Sequence, residues 1–253
     1  AAMQLASFCA EEEFYLLVLP LLFWAVDYAL ARRVTAVVVG GLIVGNVIKD
    51  VFQLPRPSPA SGVWRPSLNL DSTQLADFGF PSTHAMNSVT NSLYVVWHYR
   101  DALVEAEALG WALMAALGYI SVLTFSRLYL GAHTPTDVRG GLGLGFIVLG
   151  LFVWGAPLVD AFVATLAPTT VLLGWVPLGT TILLLCPQPR PPTPTFLQNA
   201  LLVGLAWGLY AGSRLAHEHG LDSPVSGQVS PPTWVPRYVA TPALVLAGYV
   251  FVM

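Results

Sequence analysis

Apolar residues gather in eight long runs along this chain: Phe14–Ala31, Val34–Val51, His84–His98, Leu109–Leu128, Val138–Ala156, Pro168–Cys186, Phe196–Arg214 and Tyr238–Met253. Each approaches the length at which a helix crosses a bilayer, about 20 residues. The third run differs from the rest. Asn87, Ser88, Thr90, Asn91 and Ser92 make it polar along one stretch, which predicts a helix facing protein rather than lipid. Most connections are short, but Asp50 to Pro81 is long and punctuated by Pro55, Pro57, Pro59 and Pro66. A loop of that length in a compact domain is usually functional or disordered. Pro187–Pro194 and His217–Pro236 also read as proline-rich loops. Glu11, Glu12 and Glu13 stand where a secretory signal would carry positive charge, so the first run reads as a span. The pattern predicts an all-α, polytopic integral membrane bundle of about eight transmembrane helices, a single membrane domain over residues 1–253 with no soluble domain.

Composition narrows the class further. Of the 253 residues 55% are hydrophobic and 10% charged, against about 25% charged in a soluble domain. The mean hydropathy is +0.66. So few charges do not make a water-facing surface, and the hydrophobicity excludes disorder. With 11 basic and 14 acidic residues there is no basic patch for nucleic acid. Cys9 and Cys186 are too few for a disulfide framework and read as buried thiols.

Eight spans place both termini on one side. Arg32, Arg33, Arg100, Arg214 and Arg237 then share the opposite side. Once Lys49, Arg56, Arg127 and Arg139 are reserved for chemistry, these five outnumber the positive charges left on the other face. Positive loops favour the cytoplasm, so the long loop is expected to face the lumen or exterior.

Polar residues are costly in such a chain, and three groups stand out. Lys49 and Arg56-Pro57 lie at the exit of the second span, Pro81-Ser82-Thr83-His84 at the start of the third, and Ser126-Arg127, His133 and Asp137 between the fourth and fifth. All three fall on one predicted side. Lys49, Arg56 and Arg127 are cations with donors only, and an arginine fork suits phosphate oxygens. Ser82 and Thr83 add hydroxyls at a helix start, where N–H groups bind anions. Asp137 follows His133 by four residues, one turn if that segment is helical, and a carboxylate on one ring nitrogen leaves the other free to attack. His84 is a second imidazole, able to protonate a leaving oxygen. Such a set describes phosphoryl transfer without a metal or other cofactor.

Other polar residues read more plainly. Arg32, Arg33 and Arg100 are expected to snorkel to headgroups, and His98 to pack. His217-Glu218-His219 lacks the spacing of a helical zinc site and reads as solvated loop. Asp27 and Asp160 are helix-terminal carboxylates without an assigned role. Gly140, Gly141, Gly143 and Gly145 are expected to allow close helix packing.

The three groups resemble the type 2 phosphatidic acid phosphatase superfamily, whose pattern is K-x6-RP, then PSGH, then SR-x5-H-x3-D. The first and third match here; in the second, Thr83 replaces glycine. Phe78-Gly79-Phe80-Pro81-Ser82-Thr83-His84-Ala85-Met86 is similar to the sphingosine-1-phosphate phosphatase branch, as are Glu13-Phe14-Tyr15 and Tyr129-Leu130-Gly131-Ala132-His133. The motifs occupy 49–137, and 138–253 supplies additional helices. The resemblance implies that His133 is the nucleophile, Asp137 orients it, and His84 protonates the leaving group and then activates water. Lys49, Arg56, Ser82, Thr83 and Arg127 would hold the phosphate of a lipid phosphate reached from the membrane lipids. It further implies a metal-independent enzyme of the endoplasmic reticulum with its site facing the lumen. A phosphatase for another lipid phosphate (a polyprenyl diphosphate or phosphatidate) or a lipid phosphotransferase is the competing reading. An anion channel or transporter is remote, because a pore needs no nucleophile–carboxylate pair.

Overall fold

A computed structural model describes residues 2–9, 11–23, 27–57, 77–190 and 192–218. Among these, the regular elements are helices: α1 (Ala2–Phe8), α2 (Glu12–Leu21), α3 (Tyr28–Phe52), α4 (Thr83–His98), α5 (Arg100–Glu105), α6 (Leu109–Tyr129), α7 (Pro135–Thr165), α8 (Pro168–Leu185) and α9 (Pro194–Glu218). By length and composition three are able to cross a membrane: α3, α6, and α7 over Pro135–Ala161.

The segment expected as one span from Phe14 to Ala31 is not one helix. Asp27 is extended (φ −156°, ψ 111°) and caps α3, its carboxylate accepting from Leu30 N at 3.0 Å. An apolar run hides such a cap, because one carboxylate barely lowers the mean hydropathy while it satisfies a helix-start N–H. At ten residues α2 is about 15 Å long, half a hydrocarbon core. The next helices outrun their predicted bounds, α3 starting at Tyr28 and α7 running from Pro135 to Thr165. Helix α1 was not expected, and the eighth run, Tyr238–Met253, lies outside the described residues.

Helix α4 is the centre of the bundle, packed against α3, α6 and α7. Its polar stretch is buried as expected, with Asn87, Ser88 and Thr90 inside. Glycines let its neighbours close on it. A Cβ at Gly141 of α7 would stand 2.3 Å from Ser82 O, and one at Gly145 would stand 2.9 Å from Met86 O. Those two glycines are one turn apart and meet α4 one turn apart, so the helices touch backbone to backbone. Gly140 is also close-packed, against the Phe80 ring, whereas Gly143 faces open space.

The outer faces of α6, α7 and α8 are apolar. Trp111, Met114, Phe125, Phe146, Trp154, Leu184 and Leu185 are all exposed, as lipid-facing residues should be. Helix α9 lies against α3 and α8, and Asn46 of α3 donates to Gln198 Oε1 at 2.9 Å and to Asn199 Oδ1 at 3.2 Å. Cys186 is buried as expected, but Cys9 is only half-buried.

Candidate active site

One end of the bundle collects every predicted site residue. Lys49 comes from the last turn of α3 and is buried. After it, Gln53 takes a left-handed conformation (φ 51°), which ends the helix and turns the chain toward Arg56. Ser82 caps α4, its hydroxyl accepting from Ala85 N at 3.4 Å, and Thr83 and His84 open that helix. The Thr83 methyl packs toward α3, where a Cβ on Gly45 would lie only 2.8 Å from it. The bulkier residue at the family's glycine position is thus matched by a glycine on the neighbouring helix.

His133 and Asp137 do not share a helical turn. His133 is buried in the turn between α6 and α7, just after Gly131 (φ 67°), and Asp137 lies in the first turn of α7. The reason is a capping box. Asp137 Oδ2 accepts from Thr134 N at 2.7 Å, Thr134 Oγ1 accepts from Asp137 N at 3.1 Å, and Pro135 stands at the first helical position. Asp137 O also accepts from Ser82 N at 3.0 Å, locking the second motif to the third. His133 Nδ1 faces Asp137 Oδ2 at 3.7 Å, longer than a hydrogen bond, while Nε2 lies 3.3 Å from Arg56 Nη1. One ring nitrogen therefore faces the carboxylate and the other the cations. Burial, and then the charges of Arg56, Arg127 and Lys49, push the His133 imidazole well below its ordinary pKa, so it is neutral at pH 7.

Two carboxylates that sequence reasoning missed pair with the cations. Asp77 Oδ2 accepts from Lys49 Nζ at 2.7 Å and from Arg56 Nη2 at 2.9 Å. Burial alone would raise the Asp77 pKa, but Lys49 and Arg56 outweigh it and hold the carboxyl below its usual range. Glu11 Oε1 lies 3.1 Å from His84 Nε2, off the hydrogen-bond line, and 3.7 Å from Arg127 Nη1. Burial works against its ionised form too. The close approach of His84, with the charge of Arg127, overcomes that and brings Glu11 down to about 2. Arg127 Nη1 also donates to Ser7 Oγ, so α1 is tied to the site.

Helix α9 supports the same cluster. Thr195 donates to Asp77 Oδ1 at 3.1 Å, and Thr193 to Asp50 Oδ1 at 2.8 Å. Among the described residues Arg56 Nε, Arg127 Nε and His133 Nδ1 are buried without a hydrogen-bond partner. Buried guanidinium donors left without a partner beside a neutral imidazole suit an oxyanion.

The residues predicted to act elsewhere also found partners. Arg32 and Arg33 do not simply snorkel: Asp160 takes Arg32 Nη1 at 2.7 Å and Arg33 Nη2 at 2.8 Å. His98 packs beside Asp27 at 3.3 Å. His217 and Glu218 end α9 rather than forming a loop, and both are exposed; His219 lies outside the described residues.

The chain is 34% identical over 205 residues to lipid phosphate phosphatase delta of Arabidopsis thaliana, covering 79% of this chain and 48% of that protein. It is 32% identical over 151 residues to sphingosine-1-phosphate phosphatase 2 of Mus musculus, covering 60% and 41%. A probable sphingosine-1-phosphate phosphatase of Dictyostelium discoideum is 29% identical over 232 residues, covering 85% and 53%. The chain spans about half the length of these curated relatives. No solved structure matches it significantly. The PAP2 superfamily model matches residues 29–159, more than half of the chain and the stretch that holds all eight predicted site residues, and the chain belongs to that superfamily.

Proposed function

We propose that this chain hydrolyses the phosphomonoester of sphingosine-1-phosphate or a related long-chain-base phosphate through a phosphohistidine. The observation that carries the reading is the orientation of His133, Nδ1 toward Asp137 and Nε2 toward Arg56 among buried cations. In the first step the Nε2 lone pair attacks phosphorus, the bond from phosphorus to the lipid oxygen breaks, and His84 gives that oxygen its proton. In the second step His84 takes a proton from water, the water oxygen attacks phosphorus, and the phosphorus–nitrogen bond breaks to release inorganic phosphate. Lys49, Arg56 and Arg127 balance the charge on the phosphoryl oxygens, with Ser82 and Thr83 at the start of α4 completing the cage. Asp77 holds Lys49 and Arg56 in position. Glu11 stands where the leaving oxygen must reach His84, so it yields that place to substrate.

The relatives' names support the substrate class, and the resemblance of the motif around Thr83 to the sphingosine-1-phosphate phosphatase branch favours a long-chain base over phosphatidate. Topology fits as well. Glu11 lies at the site end and Asp27 at the other, beside His98, so the amino-terminal segment traverses the bundle. Beyond α3, α6 and α7, which are long and apolar enough to cross by themselves, we read this segment, α4, α8, α9 and Tyr238–Met253 as the remaining spans of the proposed eight. The arginines at the far end favour a cytosolic location for that face and a lumenal site in the endoplasmic reticulum. An N-glycosylation sequon placed at Ser72 is then expected to be modified in microsomes.

The test is turnover of purified full chain on a panel of lipid phosphates in excess EDTA. Preference for long-chain-base phosphates without added metal is the expected result. Preference for phosphatidate or a polyprenyl diphosphate would reassign the substrate, and loss of activity restored by a divalent ion would end the metal-independent mechanism.

A further inference from the structure

The far end of the bundle carries a second set of cations that hydrolysis does not use. Two cavities of about 230 and 330 Å³ adjoin there, both lined by Arg32, Arg33 and Asp160. The larger adds Arg214, Tyr28 and Ser213. Its lining holds three guanidinium groups and one carboxylate, a formal excess of positive charge. The smaller continues along an apolar wall of Ala36, Leu151, Gly155 and Val159. Leu151 is 61% and Val159 39% exposed, so this wall opens onto the lipid-facing surface of α7. A Cβ built at Gly155 meets nothing within 4 Å, so the wall is open at that glycine.

The location is defined by the helices. Sixteen residues of α3 separate Arg33 from Lys49, about 24 Å at 1.5 Å per residue. The two sets of cations therefore stand near opposite faces of the hydrocarbon core. Asp160 holds the two guanidiniums side by side, Arg32 Nη1 on Oδ1 and Arg33 Nη2 and Nε on Oδ2. Paired, fixed arginines suit phosphate oxygens better than a lone flexible cation, and basic pockets between transmembrane helices take lipid headgroups. A cationic end joined to a lipid-facing apolar channel has the amphipathic shape of a phospholipid.

We propose that this groove binds the phosphate headgroup of an anionic membrane lipid, with one acyl chain lying along α7 over Gly155. The inference stands apart from the phosphatase reading, because these residues lie at the opposite end of the bundle from His84 and His133.

The experiment uses the full chain, delipidated in detergent and titrated with phosphatidylglycerol, a phosphodiester rather than the phosphomonoester of the proposed substrate. Bound lipid is counted by native mass spectrometry. Wild type is expected to retain one phosphatidylglycerol saturably. The triple variant R32Q/R33Q/D160N, which removes both signs of charge together, is expected to bind at least tenfold more weakly. Gly155→Phe fills the channel without touching the arginines, and it too is expected to weaken binding at least tenfold while hydrolysis at the other end continues. Inorganic phosphate at millimolar concentration should leave the lipid bound. Equal retention by wild type and Gly155→Phe would overturn the acyl-chain site. Displacement by inorganic phosphate would show a simple anion site instead, and unchanged binding in the triple variant would overturn the proposal entirely.

Discussion

The two ends of α3 carry the same motif in different surroundings. At the site end Asp77 bridges Lys49 and Arg56, whose side chains are 3% and 11% exposed. At the far end Asp160 bridges Arg32 and Arg33, 16% and 27% exposed. In the first case the cations are largely withdrawn from water and the carboxylate is what makes their burial tolerable. In the second, the long arginine stems are able to reach the headgroups if the carboxylate is lost. Burial, not the number of charges, separates a site that concentrates charge for chemistry from one that receives a ligand at the surface.

The largest effect expected from breaking this contrast is on turnover. His133→Ala should reduce hydrolysis to background, because no other described group is placed to form the covalent intermediate. His84→Ala should cost about 10²–10⁴-fold, the range for a general acid. The triple variant at the far end should leave the hydrolysis rate in detergent unchanged. Steady-state assays of the three proteins side by side check this ordering, and equal losses at both ends would erase the distinction.

Stability gives the next test. Asp77→Ala strands two buried cations and is expected to destabilise by about 3–5 kcal/mol. Asp160→Ala leaves partly exposed arginines and is expected to cost less than about 1 kcal/mol. Denaturation in one detergent, with both variants measured together, reads the difference. Comparable losses would mean that the far pair is as desolvated as the near one.

Packing beside the site offers a control of similar kind. Gly141→Val drives a side chain into Ser82 O and should lower both stability and turnover, since Ser82 is tied to Asp137. Gly143→Ala faces open space and should be neutral or stabilising by up to about 1 kcal/mol. Thermal melts and activity on the two variants distinguish backbone contact from a mere glycine-rich stretch.

The smallest effect concerns pH. The folded pKa of Glu11, about 2, lies below its reference value of 4.5. A depressed carboxylate contributes stability that is fully present above about pH 4.5 and is lost as the pH falls toward 2. Melting temperatures between pH 6 and pH 3 should therefore fall more steeply in wild type than in Glu11→Gln. Parallel curves would mean that Glu11 does not pair with His84 and Arg127 in solution.

How much of this was legible follows from where each signal lies. Lys49, Arg56, Ser82, Thr83, His84, Arg127, His133 and Asp137 sit at fixed local spacings at helix ends, and spacing is what a sequence displays. The burial of α4 was legible for the same reason, from its run of Asn, Ser and Thr. Glu11 and Asp77 were not. Each is a single carboxylate in a connection, and its partner is chosen by packing across the bundle. Glu11 was noticed only as part of an acidic flank. Asp160 pairs with residues 127 and 128 positions away, so nothing near it in the chain announces Arg32 and Arg33. Thr193 and Thr195 follow a proline-rich stretch that looked like a plain connection, yet they brace Asp50 and Asp77. The His133–Asp137 spacing makes one turn only if the segment is helical, and Thr134-Pro135-Thr136-Asp137 carries instead the signature of a capped helix start.

The central claim is that His133 becomes phosphorylated. Rapid-quench labelling with a radiolabelled long-chain-base phosphate tests it most directly, on wild type, His133→Ala and His84→Ala. The account predicts an acid-labile, base-stable label on wild type, none on His133→Ala, and slow loss of whatever label forms on His84→Ala. Label persisting on His133→Ala would place the nucleophile elsewhere, and full turnover in both histidine variants would contradict the phosphatase mechanism.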